Sequence, residues 1–478
     1  MASADKRTHT RGISFLLGGF LVRAVSAGSA ILASLFVVAP LHAAPTPIVK
    51  GPYLQELGPT GVTVRAELDP PSSATLEATH EGDAAIVVVD NDVQAFHSFR
   101  VDKLKPLTHY RYVLRTGGGA SYKGELTTAP APASTPDAAQ PFTFLIYGDN
   151  RSDDAGHALV VRAMLQTPAD FLVHTGDFVQ SGGNPLDWQT FFEIERPMLQ
   201  SRCVFSCVGN HELFSDQSAV SYTRYFGPSA GGRLYSTFRW GNARFFMLNA
   251  FHDWNAGDER SWLEKELTSA DSEAGLTWRV AVVHHGPWSS GPHGSSPTLV
   301  PARIPQLLAQ HKIDLVVSGH DHIYERGDAM GLRYVVSGGG GAPVYRDIKP
   351  LASTRKVEAT HHFVEVSVTS DAVKLATKRS DGSLLEKCGF TKKAGWDCDV
   401  AAAAAASVAP PDAAALRSTP AREASSPSTS SRCGCRAVGR TGSEGEATAA
   451  TSGANGARAF LGVLALSLFL ARARRKTR

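Results

Sequence analysis

Cysteine is scarce in this chain, six among 478 residues. None of it falls in the histidine- and aspartate-bearing blocks described below, which argues against a structural zinc site built on thiolates. Long hydrophobic runs are also missing. The clearest candidate, Ala459–Ala471, falls short of the roughly 20 residues of a relaxed membrane span. The glycine run Gly338–Gly341 lacks the following Lys and Ser/Thr of a nucleotide-binding P-loop, so it reads as a close-packed turn. A basic stripe is absent as well. The formal net charge of +3 divides into +3 on residues 1–43, +7 on 401–478 and −7 on the body between them. A mildly acidic body excludes duplex nucleic acid as the natural partner.

What is present begins with an export pattern. Lys6, Arg7 and Arg11 open the chain, Ala30–Ala39 is apolar or small, and Ala43 and Ala44 offer cleavage sites, so residues 1–43 read as a signal peptide. An exported chain permits disulfides. Cys388 and Cys398 flank a short loop that a bridge could close, whereas Cys203 and Cys207 lie in a segment that looks extended. Four residues of strand span roughly 13 Å, too far for a bridge, so at least Cys207 reads as a buried thiol.

Residues 44–129 carry short alternating runs, among them Gly61–Ala66, Ala85–Val89 and Tyr110–Leu114, which is an all-β sandwich pattern. Residues 130–141, rich in Ala, Pro and Ser, are a linker. From 142 to 399 apolar strands alternate with amphipathic helices, the mark of an α/β catalytic domain. Residues 400–432 form a disordered Ala/Pro/Ser stalk. Residues 433–478 carry Cys433-Gly434-Cys435, the short apolar run and a basic end.

Five predicted strands in the α/β region each end in a metal-competent side chain. They are Phe142–Tyr147 before Gly148-Asp149, Asp170–His174 before Gly176-Asp177, and Cys203–Val208 before Gly209-Asn210-His211-Glu212. Arg279–Val283 precedes His284-His285, and Asp314–Ser318 precedes Gly319-His320-Asp321-His322. In open α/β sheets ligands gather beyond the carboxyl ends of strands. The glycines allow sharp turns and close approach.

In this order the blocks resemble those of the calcineurin-like metallophosphoesterases and, within them, the purple acid phosphatases. The resemblance covers about Phe142 to Lys378. Gly51-Pro52-Tyr53-Leu54-Gln55 is similar to the start of the amino-terminal sandwich of purple acid phosphatases, and Leu104–Tyr112 resembles the strand entry of fibronectin type III domains. The tail from Cys433 resembles the carboxy-terminal sorting tag of myxobacterial surface proteins.

The resemblance implies an α/β fold, a β-sandwich metallophosphoesterase core flanked by helices, behind an all-β fibronectin type III-like sandwich. It implies two divalent or mixed-valence ions of Fe, Mn or Zn, with Asp177 bridging them. Asp149 and His322 complete one set and Asn210, His284 and His320 the other. His284 or its neighbour His285 is the ligand, since adjacent strand residues face opposite ways. His211 matches the residue that contacts the phosphate and protonates the leaving group. Arg151 and His293 are candidates for binding phosphate. Asp321 reads as a solvated loop residue.

Two positions depart from the pattern. The usual Asp-x-His block is Asp149-Asn150-Arg151, and His157 could supply the missing ligand. The Tyr three places after the bridging Asp is Gln180, so the protein is not expected to be purple. The expected function is an exported phosphomonoesterase, secreted or held at the cell surface or outer membrane through its tail, that attacks phosphate esters with hydroxide held between two metals. The alternatives are a phosphodiesterase of nucleotides or lipid head groups, or a non-catalytic surface-binding protein with a vestigial metal site.

Overall fold

The computed structural model describes residues 47–399, apart from 229–231 and 256. The expected signal peptide, stalk and sorting tag lie outside the described residues. Among those residues, no helix is long and apolar enough to cross a membrane.

The first five strands, β1 (Ile48–Gln55), β2 (Gly61–Thr79), β3 (Ile86–Asp102), β4 (His109–Thr116) and β5 (Ser121–Thr127), pair antiparallel. β2 is the spine: its first half pairs with β1 and its second half with β4, while β3 follows it along both. The sequence suggests short strands here, yet β2 and β3 run for 19 and 17 residues. Pro70 and Pro71 read as a break because neither has an N–H to give to a ladder. A register shift between Glu67 and Ser72 absorbs them, so the strand bends and continues.

A one-turn 3-10 helix at Pro136–Ala138 leads into the α/β region. There the chain runs β6 (Phe142–Tyr147), α1 (Asp154–Leu165), β7 (Phe171–His174), α2 (Pro185–Leu199), β8 (Cys203–Ser206), α3 (Asn210–Leu213) and α4 (Val220–Tyr225). It continues β9 (Ser236–Trp240), β10 (Ala243–Leu248), α5 (Asp258–Asp271), β11 (Trp278–Val283), α6 (Ile304–Gln310) and β12 (Leu315–Ser318). It closes with β13 (Tyr324–Ala329), β14 (Leu332–Ser337), β15 (Thr354–Glu358), β16 (His362–Val368), β17 (Ala372–Arg379), β18 (Leu384–Thr391) and β19 (Asp397–Cys398).

These strands form two seven-stranded sheets, ordered β19-β18-β17-β16-β6-β7-β8 and β15-β13-β14-β12-β11-β10-β9. β6, β7 and β8 are mutually parallel, as are β10, β11, β12 and β14. Alternation along each strand divides its side chains between two faces. Phe144, Ile146, Phe171 and Val173 share a core with Phe245, Met247, Val280, Val282 and Val317 of the other sheet. The opposite faces are covered by helices. Leu145 and Leu172 meet Val160, Met164 and Phe191 from α1 and α2, while Phe246, Ala281 and Val316 meet Leu263, Leu267 and Leu308 from α5 and α6. Burial on both faces is why the strands read as unbroken apolar runs.

The amino-terminal sheet packs on this body. The Tyr53 ring lies tilted against that of Phe192 at 4.9 Å and its hydroxyl donates to the Tyr225 carbonyl at 3.1 Å, and the Tyr112 hydroxyl donates to the Gln200 carbonyl at 2.7 Å. Cys388 and Cys398 form a disulfide across β18 and β19. Cys203 and Cys207 are buried free thiols.

Candidate metal centre

Parallel strands place their carboxyl ends at one edge, so β6, β7, β8, β11 and β12 all deliver their following loops to the same crevice. Three crevice residues sit in the left-handed region: Asp149 at φ 58°, Asp177 at φ 58° and His320 at φ 70°. Each follows a glycine that lets a neighbouring loop come close. A Cβ on Gly148 would strike Thr175, one on Gly176 would strike His284 and the Gly209 backbone, and one on Gly319 would strike Asp149. Such backbone costs roughly 1–3 kcal/mol per residue and persists where surrounding structure over-determines it.

Hydrogen bonds supply that determination. Asp149 is fully buried, and both its oxygens accept from the His320 N–H at 3.1 Å. Asp177 Oδ1 accepts from the His211 N–H at 3.0 Å. The buried Glu212 carboxylate accepts from the N–H groups of Asp177, Phe178 and Gly209 at 2.8, 2.8 and 2.7 Å, tying the β7 loop to the β8 loop. Burial and the Asp177 charge push Glu212 up to about 8.

One set of donors converges closely. His284 Nδ1 donates to the Thr175 carbonyl at 2.7 Å, which turns the Nε2 lone pair into the crevice. That Nε2 lies 3.1 Å from Asn210 Oδ1, 3.1 Å from His320 Nδ1 and 3.3 Å from Asp177 Oδ1. Acceptors crowded this way have no proton to share. Ligands at about 2.1 Å from one cation lie about 3.0–3.4 Å from each other, so the donor set of Asp177, Asn210, His284 and His320 fits a divalent ion. Burial, then the neighbouring imidazoles, drives the His320 pKa far down, leaving a neutral ring able to ligate.

The choice between adjacent histidines falls to His284. His285 turns away, its Nε2 donating to the Gly294 carbonyl at 3.0 Å.

The other set is arranged differently. His322 Nδ1 donates to the Pro343 carbonyl at 2.8 Å, and its Nε2 faces Asp149 Oδ1 at 3.7 Å. Between His322 and Asp177 lies the Arg151 guanidinium. Nε donates to Asp177 Oδ2 at 3.1 Å, Nη1 to Gln180 Oε1 at 3.1 Å and Nη2 to His322 Nε2 at 3.3 Å. With that side chain in place, these residues do not fit a second cation.

The two buried carboxylates respond oppositely. Burial and the Asp177 charge raise the Asp149 pKa. For Asp177 burial also acts upward, but His284, His211 and Arg151 outweigh it and hold the group low.

Several expectations change. His157 does not reach the crevice; it is buried on α1 with Nε2 2.8 Å from Glu195 Oε1. Arg151, a candidate for binding phosphate, pairs with Asp177. Asp321 is buried, not solvated, and accepts from Ser289 Oγ and from the His293 N–H and Nδ1. It thereby holds His293, whose half-exposed ring lies 4.3 Å from that of His320. Gly338–Gly341 is a tight turn beside the crevice, with Gly340 N–H donating to the Gly148 carbonyl at 2.8 Å. His211 sits at the rim, Nδ1 donating to the Gln180 carbonyl at 2.6 Å and Nε2 3.9 Å from Asp177 Oδ2. The carbonyls of Thr175 and Pro343 carried no sequence signal of these roles, because backbone acceptors are invisible in composition.

Comparison with known proteins agrees with this architecture. Residues 142–324 match the calcineurin-like phosphoesterase family. A probable purple acid phosphatase (number 20) of Arabidopsis thaliana is 28% identical over 329 residues, covering 59% of this chain and 74% of that protein. Purple acid phosphatase 23 of the same plant is 25% identical over 287 residues, covering 51% and 62%. The chain thus spans about three quarters of one relative and under two thirds of the other. Among solved structures, a purple acid phosphatase from yellow lupin seeds superposes with a TM-score of 0.62 at 18% identity, covering 73% of this chain and 74% of that one. The structure of PhoD superposes with a TM-score of 0.59 at 14% identity, covering 75% and 93%.

Fold and sequence matches together support a metal-dependent phosphoester hydrolase, similar over residues 142–324 to the calcineurin-like phosphoesterases. Within that class it is similar to the purple acid phosphatases, a family whose centre holds two ions drawn from iron, zinc and manganese.

Proposed function

We infer that the protein is an exported phosphomonoesterase whose crevice hydrolyses phosphate esters. The observation that carries this reading is the convergence of Asp177, Asn210, His284 and His320 on one point, with His211 at the rim beside them. Asp177, Asn210, His284 and His320 would hold a divalent ion, which would supply Lewis-acid stabilisation of phosphoryl oxygens and acidify water near neutral pH.

The protein's own groups do the rest. Hydrolysis breaks the bond between phosphorus and the ester oxygen, forms one to the water oxygen, and leaves a proton to be delivered to the departing alkoxide. His211 Nδ1 is committed to the Gln180 carbonyl, so Nε2 is the atom that carries that proton. His293, held by Asp321, presents a second imidazole to the substrate side. Phe214 is 61% exposed, with its ring 6.3 Å from that of His211, and offers an apolar rest for an organic leaving group.

Two arrangements share the four-donor ion. In one, Arg151 withdraws and Asp149, Asp177 and His322 hold a second ion; in the other Arg151 stays. Export and cell-surface attachment are supported by the cationic, small-residue start of the chain, the tail from Cys433 and the Cys388–Cys398 disulfide.

The test uses purified protein with a chromogenic monoester and the matching diester. Wild type is expected to favour the monoester, and Asp177→Ala to lose about a thousandfold or more in rate, as when a central electrostatic group is removed. Equal activity in the two proteins sinks the reading. Preference for the diester selects the phosphodiesterase alternative, and metal binding without turnover selects the surface-binding one.

A further inference from the structure

We propose that Arg151 replaces one of the two cations, so that the centre works with a single divalent ion on Asp177, Asn210, His284 and His320 and a fixed guanidinium beside it. The proposal deepens the phosphoesterase reading above and rests on it.

The geometry of the guanidinium carries the case. Its three nitrogens each find an acceptor, namely Asp177 Oδ2, Gln180 Oε1 and His322 Nε2 at 3.1, 3.1 and 3.3 Å. The side chain is only 15% exposed, so the group is enclosed rather than waving at the rim. Asp177 is divided between two neighbours: Oδ1 faces His284 and the four-donor set, and Oδ2 faces Arg151. A carboxylate that would bridge two cations here bridges one cation site and one guanidinium. Of the second set that this carboxylate would share its ion with, His322 Nε2 accepts from Arg151, and Asp149 faces that ring only across 3.7 Å.

Among the described residues, the neighbouring donors are otherwise engaged, and Tyr345, stacked on His322 at 4.2 Å, is a further partner of Arg151. Asn150 is spent on His174 and the Gly340 carbonyl. His157 is spent on Glu195. Gln180 points its oxygen at Arg151. Arginine keeps its charge at any pH a protein meets, so it cannot neutralise itself to admit a neighbour. A divalent ion in the same place would meet twice the repulsion that two unit charges feel at that separation. With Arg151 retained, the planar fork offers phosphate oxygens a fixed positive partner, which is the service a second ion would give.

The sequence difference has the same sense. The residue two places after Asp149 is a bulky cation rather than a metal ligand, and the position three after Asp177 is Gln180, whose oxygen suits a guanidinium N–H.

The experiment is metal stoichiometry on the full chain. Purified protein is stripped, titrated with Mn²⁺ by calorimetry and read by electron paramagnetic resonance. Wild type is expected to bind one equivalent and give the six-line spectrum of an isolated ion. Arg151→His, which removes the fork and adds an imidazole, is expected to bind two equivalents and give the spectrum of a coupled pair. Asp149→Asn is expected to keep one equivalent. Two equivalents with a coupled spectrum in wild type overturn the proposal. So does an Arg151→His protein that still binds one, or an Asp149→Asn protein that binds none. Should Arg151→His not fold, wild type and Asp149→Asn decide the matter alone. The two readings fail separately: a wild-type protein that binds one Mn²⁺ but cleaves no phosphate ester sinks the hydrolase reading and leaves the charge replacement standing.

Discussion

His211 differs from the other crevice histidines in what its two nitrogens face. Nδ1 is bonded to a carbonyl and Nε2 looks toward Asp177 across 3.9 Å, too long for a hydrogen bond. That leaves it free to move a proton. His211→Ala is expected to slow hydrolysis of an alkyl phosphate by about a hundred- to a thousandfold, within the range for loss of a general acid. A nitrophenyl ester needs less help to depart and should lose far less. Equal losses with the two esters, compared as kcat, would remove the proton-donor role. The donors themselves were legible in the sequence, since each follows an apolar strand and, in most cases, a glycine. The orientation of Arg151 was not. It depends on a rotamer and on Gln180 and His322, which join it only when two strand ends meet. The burial of Asp321 was hidden for the same reason, as its partners Ser289 and His293 lie in another loop.

Elements were read best where periodicity was unambiguous. β6, β7, β11 and β12 stand within a residue of the expected limits, and the hairpin of β9 and β10 turns over Gly241-Asn242 as its composition suggests. The long β2 was missed because two prolines mimic a loop, and β3 because its polar Asp90-Asn91-Asp92 reads as a turn. Two elements carry predictions. The disulfide closes a loop across β18 and β19 with a sequence separation of 10. Replacing both cysteines by alanine is expected to cost about 2–3 kcal/mol, as for other short closed loops, read as a lower urea midpoint with unchanged slope. The second concerns α5, where buried Glu259 accepts from the Asn249 N–H at 2.8 Å through Oε1. Its Oε2 finds no partner. Burial raises its pKa from 4.5 to about 9. A carboxyl raised in the folded state contributes stability that is complete below 4.5 and is lost as pH climbs toward 9. Glu259→Gln removes that titration while keeping the acceptor. The variant should therefore gain on wild type steadily between pH 5 and 9 in urea unfolding, and a constant difference across that window would refute the assignment.

At the scale of the molecule, the crevice belongs to neither sheet alone. Asp149, Asp177 and Asn210 hang from the ends of β6, β7 and β8, whereas His284, His320 and His322 hang from β11 and β12. The hydrophobic interior joins the sheets along their length, but at this edge buried like charges and unprotonated rings face one another. An ion bound there acts as a rivet through two plates. Chelation should let the edge breathe: amides of 148–150 and 319–322 are expected to exchange with deuterium faster in EDTA, while those at the opposite ends of the same strands keep their protection. Uniform acceleration along the strands would mean that the plates are held elsewhere. A hydrolase built this way would register a shortage of metal first as a loosened seam, before any helix melts.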